Sequence, residues 1–292
     1  MARDAVPAWV DRNAYPFEPR WLDVGEGRLH YVDEGAGPAI LFVHGTPTWS
    51  FEYRHLIAGL KAKRRCVAVD HLGFGLSERP VGAAYTPESH AHRLRTFVDK
   101  LGLDRFTLVV HDFGGPIGLP LALDGSGRVE RLVVMNSWMW SFAGDAEMTK
   151  RARMVAGGLG KFLYRRLNAS LRLITPSAYG DKRKLTKAIH AQYLRVFPDA
   201  ASRERVLYAL ALSLLGSAGH YESLWKRRAS LAAIPTLVVW GVKDSAFRLH
   251  QLAKWREAAP HAQIVELPEA GHWPHEESPE KVVEAIRSFV GD

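Results

Sequence analysis

The segment from Leu108 to Gly115, which reads Leu-Val-Val-His-Asp-Phe-Gly-Gly, constrains the fold more than any other part of this chain. Its apolar residues predict a buried strand, and the paired glycines predict a sharp turn that opens a helix. A strand, a sharp turn and a helix form the nucleophile elbow, in which the G-x-S-x-G pattern presents a reactive side chain. Val110, Asp112 and Gly114 occupy its three spaced positions. We therefore expect Asp112 at the apex of an elbow.

An aspartate at this turn limits the chemistry that an elbow can perform. A carboxylate that attacks an acyl carbon gives only a labile anhydride. Attack at an sp³ carbon gives a stable ester, and it needs no base because the carboxylate is already ionised at neutral pH. Asp112 therefore points to alkyl halides or epoxides as substrates rather than to esters or peptides.

Strands and helices alternate on both sides of the elbow. A hairpin is predicted at residues 20–32, and apolar runs predict strands at 39–44, 66–70, 106–111, 129–136, 236–241 and 263–267. Helices are predicted near 51–61 and 87–101, from residue 114, and at 249–258 and 279–290. Short apolar runs separated by helices are typical of a mostly parallel sheet covered on both faces, which places the chain in the α/β class.

The alternation stops after the sixth core strand. Residues 138–228 contain no good strand pattern, and helices are predicted at 146–159, 185–197 and 202–215. The simplest interpretation is an α/β core formed by residues 1–137 and 229–292, with a helical cap inserted at residues 138–228.

Composition narrows the class of protein further. The chain has 292 residues, of which 47% are apolar and 24% charged, as in an ordinary soluble globular protein. No window approaches the roughly 18 uninterrupted apolar residues of a membrane span. We expect a cytoplasmic protein without a membrane partner. The lone Cys66 excludes an intrachain disulfide and predicts a packed thiol in a strand.

Positive charge is concentrated in the predicted cap, which holds 17 Lys and Arg against 6 Asp and Glu, whereas the whole chain has a net charge of +8. The basic residues are scattered, and no aromatic side chains are interleaved with them. We interpret this face as a solvated helical surface and expect no nucleic-acid partner.

Two residues downstream complete a possible catalytic triad with Asp112. Asp244 follows the strand at 236–241, and His272 follows the strand at 263–267. This chain order of nucleophile, acid and histidine is the one that an elbow nucleophile requires. Ligands of open α/β sheets bind outside the carboxyl ends of the strands, where all three residues are predicted to lie. We predict catalytic roles for Asp112, Asp244 and His272.

A second motif predicts an oxyanion hole. His44-Gly45-Thr46-Pro47 follows the strand at 39–44, and the residue after His-Gly supplies one backbone N–H. The residue after the nucleophile supplies the other. These positions are Thr46 and Phe113. The glycine-rich loop at 70–80 lacks the phosphate-binding pattern and is interpreted as a structural turn.

With these motifs the chain resembles the haloalkane dehalogenases of the α/β-hydrolase fold over nearly its whole length. The motifs that carry the resemblance are Tyr15-Pro16-Phe17-Glu18, residues 44–54, 73–80, 111–115 and 241–244, and Gly271-His272. The position of the acid, after the strand at 236–241, resembles that in the subfamilies that have an aspartate there. Another subfamily has a glutamate after the preceding strand, where this chain has Asn136.

The resemblance implies a two-step hydrolysis. Asp112 would displace halide from carbon and form an ester, and His272, supported by Asp244, would then activate a water that hydrolyses it. The implied partners are a small apolar halogenated substrate, water and the halide product. The resemblance implies no metal and no organic cofactor, and a monomer or small homo-oligomer.

The leaving-group site departs from the family pattern. Family members usually have a tryptophan after the nucleophile, whose indole N–H binds the halide, and often an asparagine after His-Gly. Here these positions are Phe113, which has no donor, and Thr46, which has a short hydroxyl. We predict Thr46, Trp138 and Trp140 as candidate halide donors.

Two other functions remain open at this point. An epoxide hydrolase shares the Asp-His-Asp triad and protonates the leaving oxygen, typically with two tyrosines of the cap. The predicted cap contains Tyr164, Tyr179, Tyr193, Tyr208 and Tyr221. The second alternative is a binding protein that keeps the fold but has little turnover. Ligand binding alone, however, does not need Asp244 or His272.

Overall fold

The computed structural model describes residues 6–292, which are built around one sheet of eight strands. The strands are β1 Arg20–Asp23, β2 Arg28–Glu34, β3 Ala39–Val43, β4 Arg65–Val69, β5 Phe106–Asp112, β6 Val129–Ser137, β7 Thr236–Gly241 and β8 Gln263–Leu267. Their order is β1-β2-β4-β3-β5-β6-β7-β8. The pairs β1–β2 and β2–β4 are antiparallel and the other five are parallel. The predicted α/β fold with a mostly parallel sheet is confirmed.

Burial explains why the central strands read as continuous apolar runs. Every residue of β5 is buried, because helices cover both faces of the parallel strands. Cys66 in β4 is also buried, and burial raises the pKa of its thiol to about 12. This burial agrees with the predicted packed thiol.

Six α-helices and one 3₁₀ turn pack on the sheet or follow its strands. They are α1 Arg54–Leu60, α2 Pro87–Leu101, α3 Gly114–Ala122, α11 Leu249–Ala258, α12 Pro274–Glu277, α13 Pro279–Val290 and a 3₁₀ turn at Ser50–Tyr53. In α13, Val282, Ile286 and Val290 recur every four residues and form the buried stripe. Thr86 caps α2 by accepting a hydrogen bond from the backbone N–H of Ser89.

The described chain between β6 and β7 is helical and contains no strand. Its α-helices are α4 Ala146–Ala156, α5 Gly158–Leu167, α6 Thr175–Ala178, α7 Lys187–Leu194, α8 Ala200–Ser202, α9 Ala209–Gly216 and α10 Ala218–Lys226. π-helical turns occupy Ser170–Ile174 and Arg203–Tyr208, and 3₁₀ turns occupy Lys182–Lys184 and Arg228–Ala233.

The helix predicted at 146–159 is two helices, α4 and α5. Gly157 adopts an extended conformation with φ −68° and ψ 166°, which interrupts the helical backbone. In the helix predicted at 202–215, a π-helical turn comes first and α9 follows. The boundaries 138 and 228 of the cap stay a prediction. Within residues 6–292, no helix is both long enough and apolar enough to cross a bilayer.

The carboxyl ends of β3 and β5 lie at a topological switch point, where the order of strands in the sheet reverses. β3 pairs with β4 on one side and with β5 on the other, so the chain order reverses between β3 and β5. A crevice forms at the carboxyl ends of strands where the order reverses, and ligands bind there. Thr46 follows β3, and Asp112 is the last residue of β5.

Candidate active site

Asp112 lies at a left-handed turn at the end of β5. Its φ is +50°, a conformation that non-glycine residues rarely adopt, and the hydroxyl of Ser137 donates to its backbone oxygen at 2.6 Å. A Cβ on Gly114 would lie 2.0 Å from the carbonyl oxygen of Val43, so only glycine fits beside β3. This packing holds the Asp112 side chain above the sheet edge.

The loop after β3 binds one oxygen of that carboxylate. The backbone N–H of Thr46 donates to Oδ1 of Asp112 at 2.8 Å. A Cβ on Gly45 would lie 2.3 Å from the same oxygen, so the glycine lets the backbone approach. Phe113 precedes α3, where the first backbone N–H groups have no acceptor within the helix. Of the two predicted oxyanion-hole residues, Thr46 thus contacts the Asp112 carboxylate, and Phe113 follows Asp112 in the chain and lines the same cavity.

His272 lies between two buried carboxylates. Its Nε2 is 3.4 Å from Oδ2 of Asp112, and its Nδ1 is 2.7 Å from Oδ2 of Asp244. Burial disfavours the imidazolium, but the charge of Asp244 and the contacts with Asp112 outweigh it and raise the pKa of His272 to about 10. The structure thus brings together all three residues that the sequence predicts as a triad.

Asn136 holds Asp244 in place, a role that sequence reasoning did not assign. Its Nδ2 donates to Oδ2 of Asp244 at 2.8 Å, and its Oδ1 accepts from the backbone N–H of Gly241 at 2.8 Å. The backbone N–H of Ala246 donates to the other oxygen of Asp244. The signal in the sequence was a polar residue at the end of an apolar strand.

A buried acid–base pair supports His272 from the opposite side. Nε2 of His111 donates to the backbone oxygen of His272 at 2.8 Å, because a carbonyl oxygen only accepts. Nδ1 of His111 is 3.2 Å from Oε1 of Glu52, and one proton shared by these two atoms makes this contact a hydrogen bond. Burial opposes ionisation of Glu52, but His111 and His275 outweigh it and lower its pKa to about 2.

These residues are also the group most suited to a metal ion among residues 6–292. One donor atom from each of Glu52, His111 and His275 lies within 4.8 Å of the other two. Glu52 and His111 already share a proton in a hydrogen bond, so a cation could bind both side chains only by displacing that proton. We assign no metal to this group.

A small cavity lies directly above Asp112 and His272. Its volume is about 130 Å³, and the helices between β6 and β7 form its roof. Its lining is mostly apolar and comprises Thr46, Pro47, Asp112, Phe113, Met148, Tyr164, Ser170, Ile174, Thr175, Ala178, Leu207, Ala211, Leu214, Ala246, Phe247, His272 and Trp273. A larger hollow of about 740 Å³ lies elsewhere, between His55 and Arg287, and is lined by neither Asp112 nor His272.

Two donor atoms on residues that line the cavity have no hydrogen-bond partner among residues 6–292. They are Oγ1 of Thr46 and Nε1 of Trp273, and both atoms are buried. Thr46 was predicted as a halide donor, whereas Trp273 was missed. The signal that could have found it is its position directly after His272.

The two tryptophans that were predicted as halide donors do not line the cavity. Nε1 of Trp140 donates to Oε1 of Gln251 at 2.7 Å, so this N–H is already used, and the expectation for Trp140 is corrected. Trp138 is completely buried behind Phe113, with an edge-to-face contact at 4.8 Å between ring centroids. Its Nε1 has no partner among the described residues, but the ring is separated from the cavity.

Only one of the five tyrosines in the predicted cap, Tyr164, lines the cavity. Burial raises the pKa of Tyr164 to about 12, so its hydroxyl stays protonated at neutral pH. A pair of tyrosine donors, as expected for an epoxide hydrolase, is therefore not found around this cavity.

Comparison with known sequences identifies similar proteins over the full chain. Residues 38–279 match the family model for the alpha/beta hydrolase fold. The chain is 40% identical to haloalkane dehalogenase 2 of Mycobacterium tuberculosis, with 100% of both chains covered. It is 35% identical to a cis-3-alkyl-4-alkyloxetan-2-one decarboxylase of Shewanella oneidensis, covering 94% of this chain and 89% of that protein.

Solved structures show the same fold. A putative ancestral haloalkane dehalogenase superposes with a TM-score of 0.82 at 25% identity, over 93% of this chain and 98% of that one. The haloalkane dehalogenase DbeA from Bradyrhizobium elkani gives a TM-score of 0.82 at 24% identity, over 94% and 98% of the two chains.

Proposed function

The chain belongs to the haloalkane dehalogenases of the α/β-hydrolase fold family, and we propose that it hydrolyses carbon–halogen bonds through an ester on Asp112. The observation that carries this mechanism is the contact of His272 with two carboxylates. One carboxylate, Asp112, reaches the cavity and can bond to carbon. The other, Asp244, stays on the far side of the imidazole and orients it.

In the first step, the Asp112 carboxylate attacks the carbon that bears the halogen. A carbon–oxygen bond forms, the carbon–halogen bond breaks, and the halide leaves with the electron pair. We assign the hydroxyl of Thr46 and the indole N–H of Trp273 to this step as halide donors, because both residues line the cavity and both donor atoms are buried without an acceptor among the described residues.

In the second step, His272 becomes a base because the ester has no negative charge. Asp112 is one of the two groups that raise the pKa of His272, so alkylation lowers this pKa and the imidazole loses its proton. The neutral imidazole then removes a proton from water, whose oxygen adds to the ester carbon. The backbone N–H groups of Thr46 and Phe113 bind the oxyanion until it collapses. The expelled alkoxide takes the proton from His272 and leaves as the alcohol, and the new carboxyl group of Asp112 loses its proton.

The cavity volume limits the size of the substrate. A cavity of about 150 Å³ in another protein holds benzene, and this one has about 130 Å³. The proposed substrate is a haloalkane of a few carbon atoms. We assign residues 138–228 to a cap, since Met148, Tyr164 and Leu207 from this segment close the cavity.

Trapping the ester tests the mechanism. The variant His272→Gln should release about one halide per enzyme and then stop, with the added alkyl mass on the peptide that contains Asp112. His92→Gln changes an exposed histidine and serves as the matched control with normal turnover. Halide release by His272→Gln without an adduct on Asp112 would contradict the mechanism.

The decarboxylase relative supports a second candidate function, because the same attack fits an oxetan-2-one. Asp112 would attack the saturated ring carbon that is bonded to the ring oxygen, and that carbon–oxygen bond would break to leave a carboxylate on the opened chain. Loss of CO₂ would then form the alkene and expel the Asp112 carboxylate. This route needs neither water nor His272.

Cavity size favours the haloalkane over this second candidate. Two alkyl chains on a four-membered ring exceed about 130 Å³ unless the roof moves. Measuring bromide from 1-bromopropane and CO₂ from a cis-dialkyl oxetanone separates the two functions. His272→Gln should stop steady bromide release, whereas decarboxylation would continue in this variant if the second function were present.

A further inference from the structure

Exposed apolar side chains are concentrated on one segment of the predicted cap. Nine large apolar side chains are exposed in the described chain, and six of them lie between residues 154 and 174. We call these six the cap patch: Met154, Leu159, Phe162, Leu167, Leu173 and Ile174, each between 45% and 72% exposed. Clusters of this kind on a soluble domain indicate a binding surface, whereas single exposed apolar residues do not.

The cap patch adjoins the catalytic cavity. Helices α4 and α5 and the π-helical turn that carry the patch also contribute Met148, Tyr164 and Ser170 to the cavity roof. Ile174 both lines the cavity and is 45% exposed. The outer surface of the roof is therefore apolar where it meets the cavity.

The segment that carries the cap patch is rich in basic residues. Between Ala146 and Ala178 the sequence has seven Lys and Arg and one acidic residue, Glu147. Within residues 6–292, no carboxylate lies within ion-pairing distance of Arg153, Arg166 or Arg172. These three guanidinium groups are free to bind an external anion.

The face of α5 combines both properties. Leu159, Phe162 and Arg166 are spaced three and four residues apart and share one helical face, and all three are exposed. Lys161 and Arg165 lie on the neighbouring face and bind Glu204. A helix with an apolar face flanked by basic residues is typical of segments that lie in a membrane interface.

We propose that the cap patch docks on the surface of an anionic lipid bilayer. Its apolar side chains would enter the acyl boundary, and Arg153, Arg166 and Arg172 would meet the phosphate groups. Contact between two copies of this chain is disfavoured, because it would bring two basic surfaces together. The expectation of no membrane partner came from the sequence, which does not reveal which apolar side chains are exposed.

This docking goes beyond the proposed hydrolysis and would place the cavity roof, including Ile174, against a phase in which apolar substrates dissolve. The test is co-sedimentation of the full chain with vesicles of phosphatidylcholine alone or mixed with phosphatidylglycerol. We expect binding to the mixed vesicles only, and its loss in 1 M salt, where the screening length is about 3 Å. Asp112→Ala should bind as well as the unmodified chain, so the result does not depend on turnover.

Surface variants separate the two components of binding. Leu159→Ser combined with Phe162→Ser should weaken binding about 10-fold or more. Arg166→Gln combined with Arg172→Gln should weaken it about 25-fold, or about 5-fold for each arginine. Val81→Ser is the matched control, since Val81 is 80% exposed but lies outside the cap. The surface variants at residues 81, 159, 162, 166 and 172 should hydrolyse a dissolved haloalkane at the normal rate.

Three outcomes would overturn the proposal. Equal binding to both kinds of vesicle would exclude recognition of anionic lipid. Sedimentation of the unmodified chain with neither kind would exclude a membrane surface altogether. A dimer in light scattering that Leu159→Ser and Phe162→Ser abolish would show that the cap patch joins two copies of the chain.

Discussion

Replacing Trp273 with phenylalanine removes one N–H from the cavity and keeps an aromatic ring in place. The indole stacks on Tyr179 with 5.0 Å between ring centroids and an interplanar angle of 25°, and a phenyl ring can keep this contact. Asp112, His272 and Asp244 are unchanged. The variant therefore tests the halide site separately from the nucleophile and the base.

The size of the effect of Trp273→Phe depends on whether this N–H has a hydrogen-bond partner before the halide binds. A hydrogen bond to a charged group contributes about 1.5–3 kcal/mol. Nε1 of Trp273 is buried and has no acceptor among the described residues, so a halide would displace no protein acceptor from it. We expect Trp273→Phe to weaken bromide binding and to slow carbon–bromine cleavage by about 10- to 150-fold.

Bromide release in the first turnover gives the cleavage rate, and product inhibition by added bromide gives the affinity. Hydrolysis of the ester, measured after the burst, should keep its normal rate because the triad is intact. Trp138→Phe is the matched control, since its Nε1 is also buried and unpartnered but does not line the cavity. If Trp138→Phe weakened bromide binding and Trp273→Phe did not, our reasoning on the halide site would be refuted.

Three further predictions concern the scaffold. Gly114→Ala should abolish activity and destabilise the fold in urea titrations, because its Cβ would lie 2.0 Å from the carbonyl oxygen of Val43; Gly144→Ala, with nothing within 4 Å, should change neither. Asn136→Ala leaves a buried backbone N–H unpaired and should lower the free energy of unfolding by about 1–3 kcal/mol, again measured in urea. His272 has a pKa of about 10 in the folded chain against 6.5 in its ordinary state, so its stabilisation should be complete below pH 6.5 and vanish as pH rises through 10. Thermal unfolding of His272→Gln should lack this alkaline loss.

That Asp112, Asp244 and His272 lie together could be predicted from sequence, because each residue depends on a local pattern. Asp112, Asp244 and His272 each follow a predicted strand, and parallel strands end at the same edge of a sheet. Chain order then selected these residues among the alternatives. The fold class was predictable for the same reason, since apolar runs and turns alternate regularly.

The halide donors could not be predicted in the same way. Whether an indole N–H is free depends on partners that are distant in the chain, as Trp140 shows by donating to Gln251. Trp138 follows β6 closely, but its ring packs against Phe113 and Trp138 does not line the cavity. The break at Gly157 was also missed, because glycine is tolerated in helices and the apolar pattern continues across it.

The contact between Thr46 and Asp112 makes the two oxygens of the nucleophile different from each other. Oδ1 accepts the N–H of Thr46 and lies against Gly45, whereas Oδ2 faces His272. In the proposed reaction Oδ2 therefore bonds to the substrate and departs in the alcohol, and water replaces it in each cycle. Oδ1 is never exchanged as long as the carboxylate does not rotate. After many turnovers in ¹⁸O-water, Asp112 should thus carry one heavy oxygen rather than two, and each alcohol should contain the oxygen that the previous cycle left in the enzyme.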